Sequence, residues 1–384
     1  MTTAGVTDNT DGRIQRGDAD ATPLDYGSGH VRPARAFDPG LVYDSGAHDW
    51  ARYACGIGQL QVVSDWCPIV GTIDPSDLNY PSIAIGSLPG EQTVTRTVTN
   101  VGKQPSVYAA TVSSPPGTTV TVTPSTISVG PGKSATFKVT VTRTSAPFRE
   151  WTFGSMTWTD LRGHTVRSPI GVRPVALTGP GEITGAGPAG RGTIDLRAGY
   201  SGTVTARAYG PAPSTVHTRK LVGSTAAFLP GAPGVSPSIF TFEVRVPPGT
   251  KLARVSTFAA DHAPGTDLDL YVYDGTTLID RSDGTTADEE IPLTTAGVFE
   301  VYVVQFGLPA DVAEQEVKAH LFLVGASAPA NLSVTPASAP ASPDETVSFD
   351  VSWSALSPAR RYLGMVEFTD GKVARAWTTV AIGP

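Results

Sequence analysis

Acidic residues of one segment are the first candidates for chemistry. Asp267 and Asp269 lie two apart in a stretch that alternates polar and apolar residues, with Asp261 and Asp274 on either side. Two side chains at that spacing share one face of a strand, where their carboxylates could provide oxygen ligands for Ca²⁺. The alternative is a solvated strand face opposite an apolar one. The sequence leaves both open, and calcium is the one cofactor it suggests.

Hydrolytic chemistry needs a nucleophile, a base within hydrogen-bond reach and an orienting carboxylate. The chain has six histidines, in separate segments, and none lies in a His-Glu-x-x-His motif. The sequence also contains no Gly-x-Ser-x-Gly motif and no phosphate-binding Gly-Lys-Ser loop. We therefore assign no catalytic residue and no cofactor-binding residue. His30 is the histidine that lies in the densest cluster of turn residues.

The two cysteines, Cys55 and Cys67, are separated by twelve positions. They form no Cys-x-x-Cys pair, and two ligands cannot complete a structural zinc site. We predict a local disulfide, which indicates an oxidising, exported setting. Two buried thiols are the alternative.

Aromatic residues provide a second candidate for binding. Tyr271, Tyr273 and Tyr302 alternate with aliphatic residues on predicted strands. Exposed in a row, they would suit a carbohydrate or a peptide, whereas cross-strand pairing is their other common role.

Composition limits the classes of partner. The formal net charge is −7, which gives no reason to propose a nucleic acid. No apolar run approaches the roughly 18 residues that a membrane-spanning helix requires. The many glycines and prolines, with few charged residues, favour short strands joined by turns.

Alternation with a period of two begins near residue 83 and continues through five to seven short segments separated by Gly/Pro turns. This pattern predicts an antiparallel sandwich. Parts of it recur: Val-Thr-Pro at 122–124 reappears at 334–336, and Met-Thr-Trp-Thr-Asp at 156–160 is echoed by Val-Glu-Phe-Thr-Asp at 366–370. The two offsets differ by only two residues, which indicates a second copy. Residues 48–55 have the spacing of a short helix.

Three motifs carry a resemblance to a known family. They are Gly-Ser-Gly-His-Val-Arg-Pro at 27–33, Asp-Pro-Gly-Leu-Val-Tyr-Asp at 38–44 and Asp-Leu-Asn-Tyr-Pro-Ser at 77–82. Together they resemble the end of a plant-type (cucumisin-like) subtilisin-like serine protease, where the catalytic domain closes and a fibronectin-III-like domain opens. The opening Met-Thr-Thr-Ala resembles a run that follows the nucleophile helix in that family. The resemblance also implies that His30 has a structural role in a turn and no place in a catalytic triad. The family's Gly-Thr-Ser-Met-Ala nucleophile run is not in this sequence.

The resemblance implies a mainly β chain of tandem antiparallel sandwiches behind an irregular remnant of an α/β subtilase domain. We predict four parts: the remnant at 1–76, a fibronectin-III-like sandwich at 77–176, a second sandwich from 177–234 with 331–384, and an inserted jelly roll at 235–330. The insert resembles the bacterial pre-peptidase C-terminal domain. With its own core missing, the remnant is expected to bury Leu41, Val42, Tyr43 and Trp50 poorly.

Two functional hypotheses follow. In the first, the chain is the non-catalytic C-terminal region of a secreted endopeptidase, where it braces the catalytic domain or holds a protein or peptide substrate. In the second, it is a free-standing secreted protein that binds carbohydrate or a cell surface. The strand pairing of the second sandwich is expected to join Val204 or Ala206 to residues 345–353.

Overall fold

The computed structural model describes residues 1–60, 66–225, 228–327 and 331–384. Within these ranges the chain is built mainly from strands in antiparallel sheets, which confirms the predicted fold class. Contacts divide it into two compact units. The first is Met1–Thr178 with Arg197–Ser201 and Ala341–Thr346; the second is Gly179–Leu196 with Gly202–Pro340 and Val347–Pro384. None of the described helices is long and apolar enough to cross a membrane.

The first part of the chain contains all four described α-helices. Its elements are β1 (Gln15–Arg16), β2 (Ala19–Asp20), α1 (Pro23–Tyr26), α2 (Pro33–Ala36), β3 (Leu41–Tyr43), α3 (Ala47–Gly56), α4 (Trp66–Val70) and a 3₁₀ turn, η1 (Pro75–Asp77). The helix predicted over 48–55 is confirmed as α3, where the Asp49 carboxylate accepts the backbone N–H of Gly46 at 2.9 Å. Cys55 in α3 and Cys67 in α4 form a disulfide, with their Cα atoms 5.5 Å apart.

The first sandwich follows. Its strands are β4 (Ile83–Leu88), β5 (Glu91–Asn100), β6 (Ser106–Ser113), β7 (Thr118–Thr123), β8 (Thr126–Val129), β9 (Ser134–Arg143), β10 (Thr152–Asp160) and β11 (Thr165–Pro174). One sheet has the order β4-β11-β10-β6-β8 and the other the order β3-β5-β9-β7. Alternate residues face inward, so Trp158 lies fully buried with its ring 5.0 Å from that of Phe137.

Strand β3 corrects the expectation for the N-terminal segment. It pairs antiparallel with β5, Leu41 opposite Asn100, and the Leu41 side chain is 0% exposed in the core. Val42 and Tyr43 are half-buried, whereas Trp50 is 43% exposed as expected. The prediction of poor burial was therefore wrong for Leu41, because the sandwich itself provides the apolar partners that it needs.

The second sandwich repeats this arrangement with strands from two distant segments. They are β12 (Leu177–Thr178), β13 (Glu182–Ala186), β14 (Gly190–Ala198) and β15 (Gly202–Pro213), then β24 (Leu332–Thr335), β25 (Ser338–Ala341), β26 (Thr346–Trp353), β27 (Tyr362–Thr369) and β28 (Ala374–Gly383). The sheet orders are β13-β28-β27-β15-β25 and β12-β14-β26-β24. Strand for strand, these orders match those of the first sandwich.

The pairing of β15 differs in detail from the expected one. Ala206 lies opposite Phe368 of β27, not opposite residues 345–353. That segment, as β26, pairs with β14 instead. Consecutive strands β14 and β15 belong to opposite sheets of the sandwich, as β5 and β6 do in the first copy, so one ladder could not include both.

Between β15 and β24 lies a separate two-sheet sandwich. Its elements are β16 (Thr215–Val222), β17 (Ile239–Val246), β18 (Leu252–Thr257), a 3₁₀ turn η2 (Ala259–Asp261), β19 (Asp267–Asp274), β20 (Thr277–Ser282), β21 (Glu289–Leu293), β22 (Gly297–Gly307) and β23 (Glu314–Val324). The sheet orders are β16-β23-β18-β21 and β17-β22-β19-β20. Because β16 pairs with β23 along its whole length, this sandwich begins near residue 215, not at 235 as predicted.

If Leu41 anchors β3 in the first sandwich, truncating it should destabilise that unit. We expect Leu41→Ala to lower the free energy of unfolding by about 2–5 kcal/mol, the usual range for a buried leucine. Hydrogen exchange of the β5 and β9 amides in urea measures this. The half-buried neighbour provides the control, since Val42→Ala should cost clearly less; equal small losses would place β3 outside the core.

Candidate functional site

The sequence-predicted acidic pair lies on β19, where Asp267 is half-buried and Asp269 is buried. Asp269 is 4% exposed and accepts a hydrogen bond from the Tyr271 hydroxyl at 3.2 Å. Burial, then the nearby Asp267 carboxylate, raises the pKa of Asp269 to about 7. In the described ranges, no group of three or more His, Cys, Asp or Glu residues is arranged to hold a metal ion. Calcium binding at this pair therefore stays a prediction.

The three tyrosines do not form an exposed platform. Tyr271, Tyr273 and Tyr302 are each less than 10% exposed and form one cluster with Ile239 and Val304. A segment before β17 covers them: the Phe228 ring lies 4.4 Å from that of Tyr271, and the Tyr273 hydroxyl donates to the Pro230 carbonyl at 2.9 Å. Of the two alternatives, cross-strand pairing is the one observed: Tyr271 lies opposite Tyr302, and the Tyr273 and Tyr302 rings are 5.2 Å apart. A loop distant in sequence covers this face, so the three rings offer no exposed binding surface.

The family-like motifs of the N-terminal part meet on the first sandwich. The Asn79 side-chain amide donates to the carbonyls of Asp44 (2.7 Å) and Thr97 (3.0 Å), and its oxygen accepts the Thr97 N–H at 2.9 Å. One asparagine thus ties the end of the 38–44 motif to strand β5. The Tyr43 hydroxyl and Ser168 Oγ are 2.7 Å apart, which fastens the same segment to β11.

Arg96 holds the 77–82 motif against β5. The residue is 2% exposed, and its guanidinium donates to the carbonyls of Tyr80 (2.9 Å), Thr95 (2.9 Å) and Ser82 (3.3 Å). Burial lowers the pKa of Arg96. A buried cation is tolerated where carbonyl oxygens accept its protons. Arg96 therefore fixes the backbone conformation of the 77–82 motif.

A histidine joins the start of the 38–44 motif to the sandwich. His164 Nδ1 lies 2.7 Å from Asp160 Oδ2, and His164 Nε2 lies 3.2 Å from Asp38 Oδ1. A Cβ at Gly40, whose φ is +72°, would come within 3 Å of the Tyr108 hydroxyl and the His164 ring. Only glycine permits this approach. We call this group, Asp38, Gly40, Tyr108, Asp160 and His164, the histidine clasp.

The electrostatics of the clasp favour a charged imidazole. The hydrogen bond to Asp160, followed by that to Asp38, raises the pKa of His164 above 6.5. Burial opposes ionisation of Asp160, but hydrogen bonds from Ser106 and His164 outweigh it and lower the pKa of Asp160. Burial first, then Asp160, raises the pKa of Tyr108 to about 12, so this phenol stays neutral.

The second unit contains a hydrogen-bond chain in the chemical order of a hydrolase triad. Ser214 Oγ lies 3.0 Å from His320 Nδ1, and His320 Nε2 lies 3.0 Å from Asp261 Oδ2. Sequence reasoning missed it, because Ser214 and His320 are 106 residues apart and belong to no motif. Arg361 completes the group by donating to both Asp261 oxygens, at 3.3 and 3.1 Å.

The surroundings of this chain favour a structural role over catalysis. Arg361 compensates the Asp261 charge that would otherwise stabilise an imidazolium, and burial lowers the pKa of His320. The backbone N–H of Ser214 is donated to the Arg361 carbonyl at 2.9 Å, so it cannot serve as an oxyanion donor. Arg361 precedes β27 while Asp261 and His320 belong to the insert, so the group fastens the insert to the second sandwich.

His30 forms a backbone bridge with Gly5, N–H to carbonyl in both directions at 2.7 and 2.9 Å. Its contribution to the described contacts is therefore through the main chain, as in the structural interpretation given to it from the sequence.

Comparison with known proteins supports the motif-based resemblance. A family model for a fibronectin type-III domain matches residues 77–172. Subtilisin-like protease SBT3.16 of Arabidopsis thaliana is 43% identical over 163 residues, which are 40% of this chain and 21% of that protein. SBT5.3 of the same plant is 39% identical over 183 residues, 45% of this chain and 23% of that protein. The resemblance to the C-terminal part of subtilisin-like proteases is thus confirmed.

Both matches are longer than the fibronectin match, and the chain spans about a fifth of the length of these relatives. Among solved structures, a PapD-like domain of human CEP192 matches at 13% identity with a TM-score of 0.21, covering 27% of this chain and 90% of that one. An overlap of that size carries no argument about this chain.

The clasp predicts a pH dependence of stability. Because the folded pKa of His164 is raised, its stabilisation is complete below about pH 6.5 and is lost as the pH rises through the higher folded value. Wild type should therefore exceed His164→Gln in unfolding free energy by more at pH 5.5 than at pH 9, measured by urea titration. Titration of Asp160 does not contribute in this pH range. Its pKa is lowered in the folded protein, so its stabilisation is lost only as the pH falls below about 3.8, the ordinary pKa of an aspartate. A pH-independent difference would contradict the clasp.

Ser214 should be unreactive as a nucleophile. We expect no covalent labelling by a fluorophosphonate probe at pH 8. Arg361 offsets the Asp261 charge that would stabilise a His320 imidazolium, and the Ser214 N–H is already bonded, so it cannot stabilise an oxyanion. Mass spectrometry of the labelled tryptic digest, with trypsin itself as positive control, measures this. Modification at Ser214 would establish the group as a nucleophilic site.

Proposed function

We propose that this chain is the non-catalytic C-terminal region of a secreted subtilisin-like serine endopeptidase, and that it braces the catalytic portion. One observation carries the proposal. Residues 38–44 are fastened into the first sandwich, while apolar side chains just before them lie open. Phe37 is 91% exposed and Val31 70% exposed, with Leu24 and Met1 also exposed.

The fastened end of this segment is built for rigidity. Leu41 fills the core, His164 holds Asp38, and Asn79 holds the Asp44 carbonyl. Residues 38–44 are therefore fixed on the sandwich. A polypeptide that binds the residues just before Asp38 would be held in a fixed position next to the sandwich. Bracing of this kind does not require a ligand or a metal.

The open end has the character of a contact surface. A groove of about 380 Å³ lies among residues 1–36, lined by Met1, Ala4, Tyr26 and Val31 together with Tyr80 of the 77–82 motif. Exposed apolar residues around a groove are typical of an interaction site. The catalytic portion of a subtilisin-like protease is the occupant that the sequence matches support. We propose the parent activity, endopeptidase hydrolysis, for that portion and not for this chain.

We also propose that residues 215–324, within the predicted 235–330 block and its N-terminal extension, are a domain inserted in the second sandwich and related to pre-peptidase C-terminal domains. The insertion point corresponds to the short β6–β7 connection of the first sandwich, residues 114–117, because β15 and β24 occupy the places of β6 and β7. The alternative function, a free-standing carbohydrate- or surface-binding protein, loses its main support with the burial of the three tyrosines.

A reconstitution experiment tests the bracing role. The catalytic portion of an Arabidopsis subtilisin-like protease of the matched type, with its nucleophilic serine changed to alanine, is mixed with this chain. We expect co-elution in size-exclusion chromatography and a higher melting temperature of the catalytic portion. The double variant Val31→Asp, Phe37→Asp should abolish both effects, because charges would replace the apolar contact.

Val112→Asp is the matched control. Val112 is exposed on β6 of the same unit and does not line the groove at residues 1–36, so this variant should still bind. Binding that is absent from wild type, or that is lost equally in the control, would refute the bracing role.

A further inference from the structure

The outer edge of β16 is an open backbone ladder of defined length. On its inner side β16 pairs antiparallel with β23, Thr218 opposite Lys318. The Lys318 N–H is donated to His262 Nε2 at 3.1 Å, so it points away from β16. Thr218 and Lys318 are therefore a non-hydrogen-bonded pair, and the N–H and C=O of Val216, Thr218 and Lys220 point outward.

At both ends of this edge, the outward-pointing backbone N–H groups already have partners. These ends are Ser214 and Val222, which alternate in register with Val216, Thr218 and Lys220. The Ser214 N–H is donated to the Arg361 carbonyl and the Val222 N–H to the Pro237 carbonyl, each at 2.9 Å. Among the described residues, no backbone partner lies against 216, 218 or 220. Three outward-facing residues thus remain open between two closed positions, which is room for about five residues of an added strand.

A groove with apolar and aromatic walls runs beside this edge. It has a volume of about 530 Å³ and lies between β16 and β17, which are edge strands of opposite sheets. The His217 ring stacks on that of Phe242 at 4.0 Å, and Phe240 lies next to Phe242 at 5.8 Å. Val235, at the rim, is 76% exposed. Side chains of a strand added to β16 would alternate between this groove and solvent.

The charge of the edge indicates the sign of its partner. Arg219 lines the groove, and none of the described acidic residues pairs with it. The neighbouring Lys220 is paired with Glu314. Although the whole chain carries a net charge of −7, the cation that lines this groove, Arg219, is therefore available to a carboxylate.

We propose that the outer edge of β16, residues 216–220, binds an extended acidic polypeptide segment by strand addition. The backbone of the segment pairs with Val216, Thr218 and Lys220, an apolar side chain enters the groove over Phe240 and Phe242, and a carboxylate pairs with Arg219. Strand addition of this kind takes affinity from main-chain hydrogen bonds and selectivity from side-chain pockets. The site goes beyond the bracing role and does not depend on it.

Two other occupants fit less well. A second copy of this chain, paired through the same edge around Thr218, would bring two Arg219 side chains onto one face of the ladder, which is unfavourable. An oligosaccharide could use the aromatic wall, but it would leave backbone donors and acceptors at strand spacing unpaired.

The test uses the full chain and a fluorescein-labelled hexapeptide, Val-Thr-Glu-Thr-Glu-Thr, blocked at both ends. Its valine and glutamates share one face of a strand, so they can meet the groove and Arg219 together, and binding is measured by fluorescence anisotropy at low salt. We expect saturable binding and slower hydrogen exchange of the 214–222 amides. Replacing glutamate with lysine, or N-methylating the alternate peptide amides that face β16, should weaken binding at least tenfold. Binding of cellohexaose at this groove in place of the peptide, or edge-mediated dimerisation in sedimentation velocity, would overturn the proposal.

Variants locate the site. Arg219→Glu and Thr218→Pro should each weaken binding at least tenfold, the first by charge and the second by removing an outward N–H, a change that edge strands tolerate. Arg219→Lys should retain affinity within about threefold. Arg245→Glu, an exposed change on β17 outside the groove lining, is the matched control. If Thr218→Pro does not fold, the N-methylated peptide tests the same hydrogen bonds; unchanged binding in that peptide and in Arg219→Glu refutes strand addition.

Discussion

The need to cover apolar sheet faces and close strand edges determines most of this structure. A sheet that leaves its apolar face in water loses roughly 25 cal/mol for every Å² not buried, and an unpaired edge leaves backbone groups without partners. The first sandwich and the second, which repeats its strand order, both meet this need by taking a short strand from the chain that precedes them. Leu41 of β3 lies beside β5, and Leu177 of β12 lies beside β14. In each case a buried leucine brings the strand into place.

The same constraint explains how a sandwich can contain a long interruption. Strands β13 to β15 could not stand alone, because their inward-facing residues, such as Ile194 and Val204, would be exposed. They are completed by β24 to β28, which arrive more than a hundred residues later. The insert is then fastened at the crossing point by Arg361, Asp261 and His320, with an apolar cluster that includes Tyr209 and Phe322. A loop position accepts such an insertion because the host strands on both sides already have partners.

Local patterns were readable from the sequence, and non-local contacts were not. Period-two alternation predicted the strands, and the recurrence of Val-Thr-Pro predicted the second copy. Each of these signals is a pattern of a few consecutive residues, which can be recognised without knowing the fold. The burial of Tyr271 was not predictable, because its cover comes from Phe228, and alternation alone does not say which face of a strand meets a loop. Leu41 was expected to be poorly buried in the absence of a catalytic core, because no residue near it in sequence indicates that β5 accepts a further strand. Nothing in the sequence indicates that Ser214 and His320, which are 106 residues apart, lie next to each other.

The distribution of satisfied and open hydrogen-bonding groups separates structure from function in this chain. His164, Asn79, Arg96 and Asp261 all direct their polar atoms to fixed partners within the described fold, and such groups hold a conformation without remaining available to a substrate. The β16 edge is different, because its main-chain groups are open between two capped positions and lie beside an aromatic groove. These open main-chain groups beside the aromatic groove are what the proposed strand addition would use.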